Sequence, residues 1–169
     1  GTGSVPVAGA TTNVSVTMTN DSTLVWTWAT NYWLQATAGT NGGISTTSQW
    51  CQAGTNLSLT ATPSNGYHFT TWSGDLVSTN NPLAVTMSRP YAVTANFGIN
   101  LYDILATAGT NGAIAPTGLV QVAFGGSTNF AFTPAANYHV LDVQVDSVSV
   151  GATNDYTFVN VSSNHTITV

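Results

Sequence analysis

An internal repeat constrains the fold of this chain more than any other feature of its sequence. Residues 32–44 recur, with few changes, at 102–114, and both segments carry the run Ala-Thr-Ala-Gly-Thr-Asn-Gly. Residues 62–69 recur in the same way at 133–140, again about 70 residues further along the chain. Two matches at nearly one spacing predict tandem units that share one structure.

A third match predicts part of another unit at the start of the sequence. Its positions are Val16, Thr17, Met18, Leu24 and Trp28, matched with Val85, Thr86, Met87, Val93 and Phe97. We therefore expect the C-terminal half of a first repeat over 1–30, a full repeat over 31–98, and another full repeat over 101–169. The closing strand of the last repeat is expected to be slightly truncated.

The residue pattern inside each unit is typical of β-strands. Leu34, Ala36 and Ala38 alternate with polar or exposed positions, which is the period of a half-buried strand. Lysine and glutamate are absent, and no sustained 3.6-residue period indicates a helix. The Asn-Gly pairs at 41–42 and 111–112 predict hairpin turns of type I′. The sequence thus predicts an all-β protein of tandem, small, sandwich-like modules of about 70 residues without significant helix.

The repeated motifs resemble the divergent internalin B-repeat family, also called a bacterial repeat domain. The motifs that carry the resemblance are the openings at 32–44 and 102–114, the Pro-x-x-Gly/Asn-Tyr-His segments at 63–69 and 134–140, and the downstream variants at 72–75 and 143–146. The resemblance implies secreted or cell-surface proteins in which such units act as spacers, stalks or adhesive modules. It supplies no catalytic residues.

Charge is scarce, and this excludes several functions. The chain of 169 residues has one basic residue, Arg89, and six acidic ones, all aspartates, which gives a net charge of −5. Nucleic-acid binding requires a basic surface that neutralises phosphates. No apolar run reaches the roughly 18 residues of a membrane-spanning helix. We expect neither nucleic acid nor membrane insertion among its partners.

Candidate catalytic or metal-binding residues are few. His68, His139 and His165 have no cluster of further ligands in the sequence, so we interpret them as structural. Asp142 and Asp146 would lie about 13 Å apart in a strand, too far to share a calcium ion. We expect no enzyme activity and no cofactor, with calcium bound by loop oxygens as the alternative. Cys51, the single cysteine, aligns with Val122 and is expected to be buried.

Exposed aromatic side chains are the remaining candidates for a binding site. Trp33 points away from the core side of its strand, and Trp26 is larger than its counterpart Ala95, so both could form an interface or stack on a sugar. Possible N-glycosylation sites, from Asn-x-Ser/Thr sequons, are Asn13, Asn20, Asn56, Asn160 and Asn164.

We therefore expect a non-catalytic extracellular protein, secreted or at the cell surface, that forms a filament or stalk by contact with copies of itself or with adjacent repeats. The alternative is a polysaccharide-binding or adhesin module.

Overall fold

A computed structural model describes Val25 and residues 27–169 of the chain. These residues form strands joined by turns and loops, which confirms the predicted all-β class, and none of them lies in a helix that could span a membrane. The predicted half repeat over 1–30 lies almost entirely outside the described residues. The strands are β1 Asn31–Ala38, β2 Gly42–Ile44, β3 Gln49–Gln52, β4 Asn56–Leu59, β5 Ala61–Pro63, β6 Tyr67–Gly74, β7 Leu83–Thr86, β8 Tyr91–Ile99, β9 Leu101–Thr107, β10 Gly112–Ala115, β11 Gly118–Ala123, β12 Thr128–Pro134, β13 Val143–Val145, β14 Val148–Gly151, β15 Asp155–Phe158 and β16 His165–Thr168.

Strands β1–β8 form what we call the first module. Its largest sheet has the order β3-β1-β8-β6, in which β1 and β8 run parallel and the other neighbours antiparallel. The pairs β2-β5 and β4-β7 complete the module. β1 comes from the beginning of the repeat and β8 from its end. The largest sheet is therefore complete only when β8 has paired with β1.

Strands β9–β16 form the second module, which repeats this arrangement. Its five-stranded sheet has the order β11-β9-β16-β13-β14, and β9 and β16 form the same parallel pair that β1 and β8 form in the first module. A three-stranded sheet, β10-β12-β15, lies on the other side of the core.

Each module has its own apolar core, built from the inward-facing positions of its strands. Leu34 and Ala36 of β1 are buried, as are the matching Ile104 and Ala106 of β9, while Gln35 between the first two is exposed. The predicted alternation is therefore confirmed at Leu34 and Ala36, whereas Ala38, the third apolar position of the pattern, is exposed at the end of β1. The largest fully buried side chains are Trp72, Leu34, Leu59 and Met87 in the first core and Phe130, Ile104 and Ile167 in the second.

The Asn-Gly pairs do not form the predicted hairpin turns. Asn41 and Asn111 have the left-handed conformation, but Gly42 and Gly112 already belong to β2 and β10. β1 pairs with β3 and β8, whereas β2 pairs with β5, so the strands on either side of Asn41 separate instead of pairing. A two-residue type I′ hairpin occurs instead between β13 and β14, where Asp146 and Ser147 both have positive φ.

The junction between the modules is a specific contact. Phe124 lies so close to Gly66 that a Cβ on this glycine would be 2.1 Å from the ring. The N–H of Asn100, between β8 and β9, donates to the Gly66 carbonyl at 2.8 Å, and the Phe124 N–H donates to the Asn100 carbonyl at 2.9 Å. The second module is thereby attached to the first by side-chain packing and by backbone hydrogen bonds.

Candidate functional site

The outer strands of the two largest sheets carry no charge and no proline. These strands are β3 and β6 in the first module and β11 and β14 in the second. Sheet edges present unpaired backbone N–H and C=O groups, and proteins normally protect them with charged side chains, proline or irregular geometry. The edges of β3, β11 and β14 lack the first two kinds of protection, so they are chemically suited to accept a further strand. The outer side of β6 is partly occupied, because the Ser78 backbone already pairs with Trp72.

Trp33, predicted to be exposed, forms an aromatic pair with Trp50. The two residues are directly opposite each other on β1 and β3, with ring centroids 5.4 Å apart in an edge-to-face arrangement. Trp50 is 68% exposed and Trp33 37%, so the pair forms an apolar platform at the outer edge of the sheet. Gln52, which is exposed, lies two residues from Trp50 on β3 and therefore on the same face. Two tryptophans and a neighbouring amide make a surface that could stack on a sugar or on another protein.

The second module has a polar pair at the position of Trp33 and Trp50. Asp103 of β9 is opposite Gln121 of β11, and the Gln121 amide donates to Asp103 Oδ1 at 3.2 Å. The exposed aliphatic side chains of Leu105 and Leu119 are opposite each other two residues further along the same strands. The aromatic platform is therefore particular to the first module. Trp26, the other predicted interface residue, lies outside the described residues, while Trp28 is described and is 91% exposed.

Three of the five predicted glycosylation sites fall within the described residues and are exposed. Asn56 accepts a 2.6 Å hydrogen bond from the Thr86 hydroxyl. Asn160 lies in a loop with positive φ. Asn164 accepts a hydrogen bond from the Asp103 N–H through its side-chain oxygen at 3.0 Å, which joins the start of β16 to β9. Asn13 and Asn20 lie outside the described residues.

The structure gives His165 a partner that the sequence pattern did not reveal. Its Nδ1 donates to Asp146 Oδ2 at 2.7 Å, and Asp146 Oδ1 accepts the Thr166 N–H at 2.8 Å. Asp142 is not part of this arrangement; it accepts a hydrogen bond from the Ser149 hydroxyl. The spacing argument for the two aspartates assumed a strand through both, but β13 covers only Val143–Val145 and Asp146 lies in the turn.

The remaining candidate residues are His68, His139 and Cys51. His68 is exposed and hydrogen bonds to Asn100 at 2.9 Å, beside the module junction. His139 is exposed. Cys51 is buried, as predicted. Within the part of the chain that the structure describes, no group of three or more His, Cys, Asp or Glu side chains is placed to hold a metal ion.

Arg89, the only basic side chain, is used within the first module. Its guanidinium lies 3.3 Å from Asp75 Oδ1 and 4.7 Å from the centre of the Tyr91 ring. Asp75 also accepts the Ala92 N–H at 2.7 Å, which ties the end of β6 to β8. The structure thus commits the single positive side chain to an internal contact.

Two aspartates should make the protein sensitive to acid. The Ala92 N–H lowers the pKa of Asp75, partial desolvation opposes this, and the charge and hydrogen bond of Arg89 lower it further. Desolvation raises the pKa of Asp146, but hydrogen bonds from His165 and Thr166 and the imidazole charge outweigh it, so this pKa is also below its usual value.

A folded-state pKa that is lowered stabilises the protein above the unfolded-state pKa, and the stabilisation is lost as the pH falls through the folded value. We therefore expect the urea midpoint to be constant above about pH 5 and to fall below about pH 4. Asp75→Asn and Asp146→Asn should each reduce that acid-dependent fall. If both variants lose as much stability in acid as the wild type does, other groups cause the fall.

Trp50 is the main residue that the sequence pattern missed. Its pairing with Trp33 depends on the register between β1 and β3, which the sequence pattern does not specify. The signal was present, because Trp50 immediately precedes a buried position and so points outward, as Trp33 does before Leu34.

Comparison with known proteins identifies the first module. Residues 32–101 match the family model of the divergent InlB B-repeat domain. No curated protein and no solved structure matches the chain significantly. The family consists of repeat domains of bacterial surface proteins and is generally non-catalytic. Residues 32–101, which include nearly all of β1–β8 and lead into β9, are therefore similar to the divergent InlB B-repeat domain, as their motifs predicted.

Proposed function

We propose that this protein is a non-catalytic, extracellular structural subunit that assembles with copies of itself into a filament or stalk at the cell surface. The observation that carries the proposal is the set of uncharged sheet edges formed by β3, β11 and β14. An unprotected edge binds another strand through backbone hydrogen bonds, and adjacent side chains determine which strand fits.

The composition supports the same proposal. The chain has only seven residues of the charged types, one arginine and six aspartates, and Arg89 and Asp75 partly neutralise each other. Close packing of copies therefore meets little electrostatic repulsion. Exposed apolar side chains such as Leu119 and Trp50, 63% and 68% exposed, would be removed from water by such packing.

Electron microscopy of the purified full chain, with negative staining, tests the proposal. We expect extended polymers of constant width that persist when the ionic strength is raised, because the contacts are apolar and backbone-mediated rather than ionic. Dispersed particles of monomer size at high protein concentration would contradict the proposal.

A second candidate function is polysaccharide binding by the Trp33–Trp50 pair. It is favoured by the exposure of both rings and by the amide of Gln52 on the same face of β3. Glycan-array binding that is lost in Trp50→Ala and retained in Leu119→Ala, an exposed apolar position in the other module, would support it. Absence of binding to every glycan of the array would contradict polysaccharide binding as the function of this pair.

A further inference from the structure

The first and the last strand of each module are neighbours in one sheet. The first module begins with β1 and ends with β8, which are the central pair of the sheet β3-β1-β8-β6. The second module begins with β9 and ends with β16, which are neighbours in the sheet β11-β9-β16-β13-β14. Both pairs are parallel. Tension applied along the chain therefore acts directly on these two strand pairs.

The register of the first pair sets the direction in which tension loads it. Residues 34–38 are opposite residues 91–95, so Asn31 lies beyond one end of the pair and Ile99 beyond the other, roughly 35 Å apart along the strands. Pulling these two residues apart draws β1 and β8 in opposite directions along their own axes. The hydrogen bonds of parallel strands run across the strands, slanted and evenly spaced, so this sliding load falls on all of them at once.

Further hydrogen bonds hold the same pair in register. Thr37 Oγ1 lies 2.7 Å from Thr94 Oγ1 across the two strands, and the Thr37 hydroxyl is also 3.3 Å from the Val93 carbonyl oxygen. Just after β1, the Gly39 N–H donates to the Ala95 carbonyl at 2.8 Å. These contacts strengthen the backbone pairing at the end of β1 where the chain leaves the strand.

The buried faces of both strands oppose sliding as well. Leu34 and Ala36 of β1 point into the core, as do Val93 and Ala95 of β8, and all four are at most 7% exposed. A shift of one residue in the register would turn the buried side chains of one strand to the outer face of the sheet. A shift of two residues would move each side chain into the packing site of a neighbour. The strands therefore cannot slide gradually, and their separation must break the hydrogen bonds and the core packing together.

The second module repeats this arrangement with a shorter strand pair. Residues 104–107 are opposite residues 165–168, and Thr107 and Thr168 form the matching hydroxyl contact at 2.9 Å. The outer neighbours of the last strands differ too. β8 is paired with β6 over most of its length, whereas β16 pairs with β13 over only two residues. We therefore expect the second module to resist tension less than the first.

We infer that each module is a mechanical clamp, in which the parallel pair of first and last strands bears tension along the chain in shear and keeps the module folded under load. The inference goes beyond the proposed assembly, because it concerns a single chain and requires no second copy. A stalk between a cell and its surroundings carries such tension whenever the two are pulled apart. Forced unfolding is governed by the unfolding rate rather than by the equilibrium stability, so the clamp must be measured with force and not with denaturant alone.

Pulling on single molecules in two directions tests the clamp. Handles are attached through Asn31→Cys and Ile99→Cys in the shear arrangement, and through Asn31→Cys and Ser88→Cys in the peeling arrangement. Both arrangements use the whole chain with Cys51→Val, because Val122 occupies the position of Cys51 in the second module. Ser88 lies just before β8, at the end of the pair where β1 begins, so the peeling handles separate the two strands one hydrogen bond after another.

We expect the unfolding force of the first module to be several-fold higher in the shear arrangement than in the peeling arrangement. The same hydrogen bonds and the same core break in both, so a difference in equilibrium stability cannot cause the difference in force. The chain between Asn31 and Ile99 should lengthen to about 240 Å on unfolding, which identifies the event. Equal forces in the two directions would overturn the inference.

Thr37→Val tests the hydroxyl contact within the strand pair. Valine has nearly the shape of threonine and suits a strand, so the module should still fold, which the urea midpoint would check. We expect a lower unfolding force in the shear arrangement. Thr62→Val is the matched control, because Thr62 is exposed on β5, outside the loaded pair, and its loss should leave the force unchanged. An equal loss of force in Thr62→Val and Thr37→Val would overturn the assignment of the load to β1 and β8.

Handles at residue 31 and after residue 169 load both modules in series. We expect two unfolding steps, with the second module unfolding at the lower force because its parallel pair is shorter. Thr107→Val should then lower the force of the first step, and Thr37→Val that of the second. The reverse assignment would mean that the length of the parallel pair does not set the resistance, and it would overturn the clamp.

The outcomes for the clamp and for the proposed filament are independent. A chain that remains monomeric at high concentration but resists tension in the shear arrangement would overturn the filament and support the clamp. A chain that assembles but unfolds at the same force in both pulling directions would support the filament and overturn the clamp.

Discussion

Trp72→Ala is expected to lower the free energy of unfolding of the first module by about 4 kcal/mol, because it empties the centre of that core. Trp72 is completely buried, contacts Phe69 with ring centroids 5.5 Å apart, and donates from Nε1 to the Asn80 carbonyl at 3.0 Å. The substitution removes the ring and leaves that carbonyl without its donor. For a module of this size the thermal midpoint should fall by roughly 15–30 °C.

Trp50→Ala is the control for this prediction, since it makes the same change in the same module on an exposed side chain. We expect it to alter the free energy of unfolding by about 0.5 kcal/mol or less. Urea unfolding followed by circular dichroism measures both variants. Equal destabilisation by the two substitutions would show that Trp72 is not the centre of the core.

Gly66→Ala is expected to destabilise the junction between the modules by about 2–3 kcal/mol in total. A non-glycine residue at a left-handed position costs roughly 1–2 kcal/mol, and Gly66 has φ of 79°. The new Cβ would also collide with the Phe124 ring, which must move away. Urea unfolding followed by tryptophan fluorescence measures the loss from the first module, because the second module contains no tryptophan.

Gly54→Ala measures the backbone cost of a non-glycine residue without the collision with Phe124. Gly54 has φ of 83°, but a Cβ there would have nothing within 4 Å, so only the backbone cost of about 1–2 kcal/mol applies. In a Phe124→Ala background, Gly66→Ala should cost no more than Gly54→Ala. An unchanged cost in that background would mean that Phe124 does not hold the junction.

The alternation of the strands was predictable because it depends on local sequence. Leu34 and Ala36, like Ile104 and Ala106, show their burial through the period of two alone. Pro63 and Pro134 end β5 and β12, because proline has no N–H to donate to a continuing strand pair. Because the sequence repeats, each prediction made for one module also applied to the other.

The pairing of the strands was not predictable, because it joins residues far apart in sequence. The Asn-Gly turn was misinterpreted for this reason: Asn41 has the expected conformation, but β1 finds its partners in β3 and β8. The same limit applies to the candidate site. The Trp33–Trp50 pair and the Asp146–His165 hydrogen bond depend on register and on a hairpin turn, which composition and spacing do not specify.

Sedimentation velocity of the 169-residue chain over a wide range of concentration tests self-assembly most directly. We predict that species heavier than the monomer appear and grow with concentration, since each added copy presents further uncharged sheet edges. A single species of monomer mass at every concentration would contradict the proposed filament.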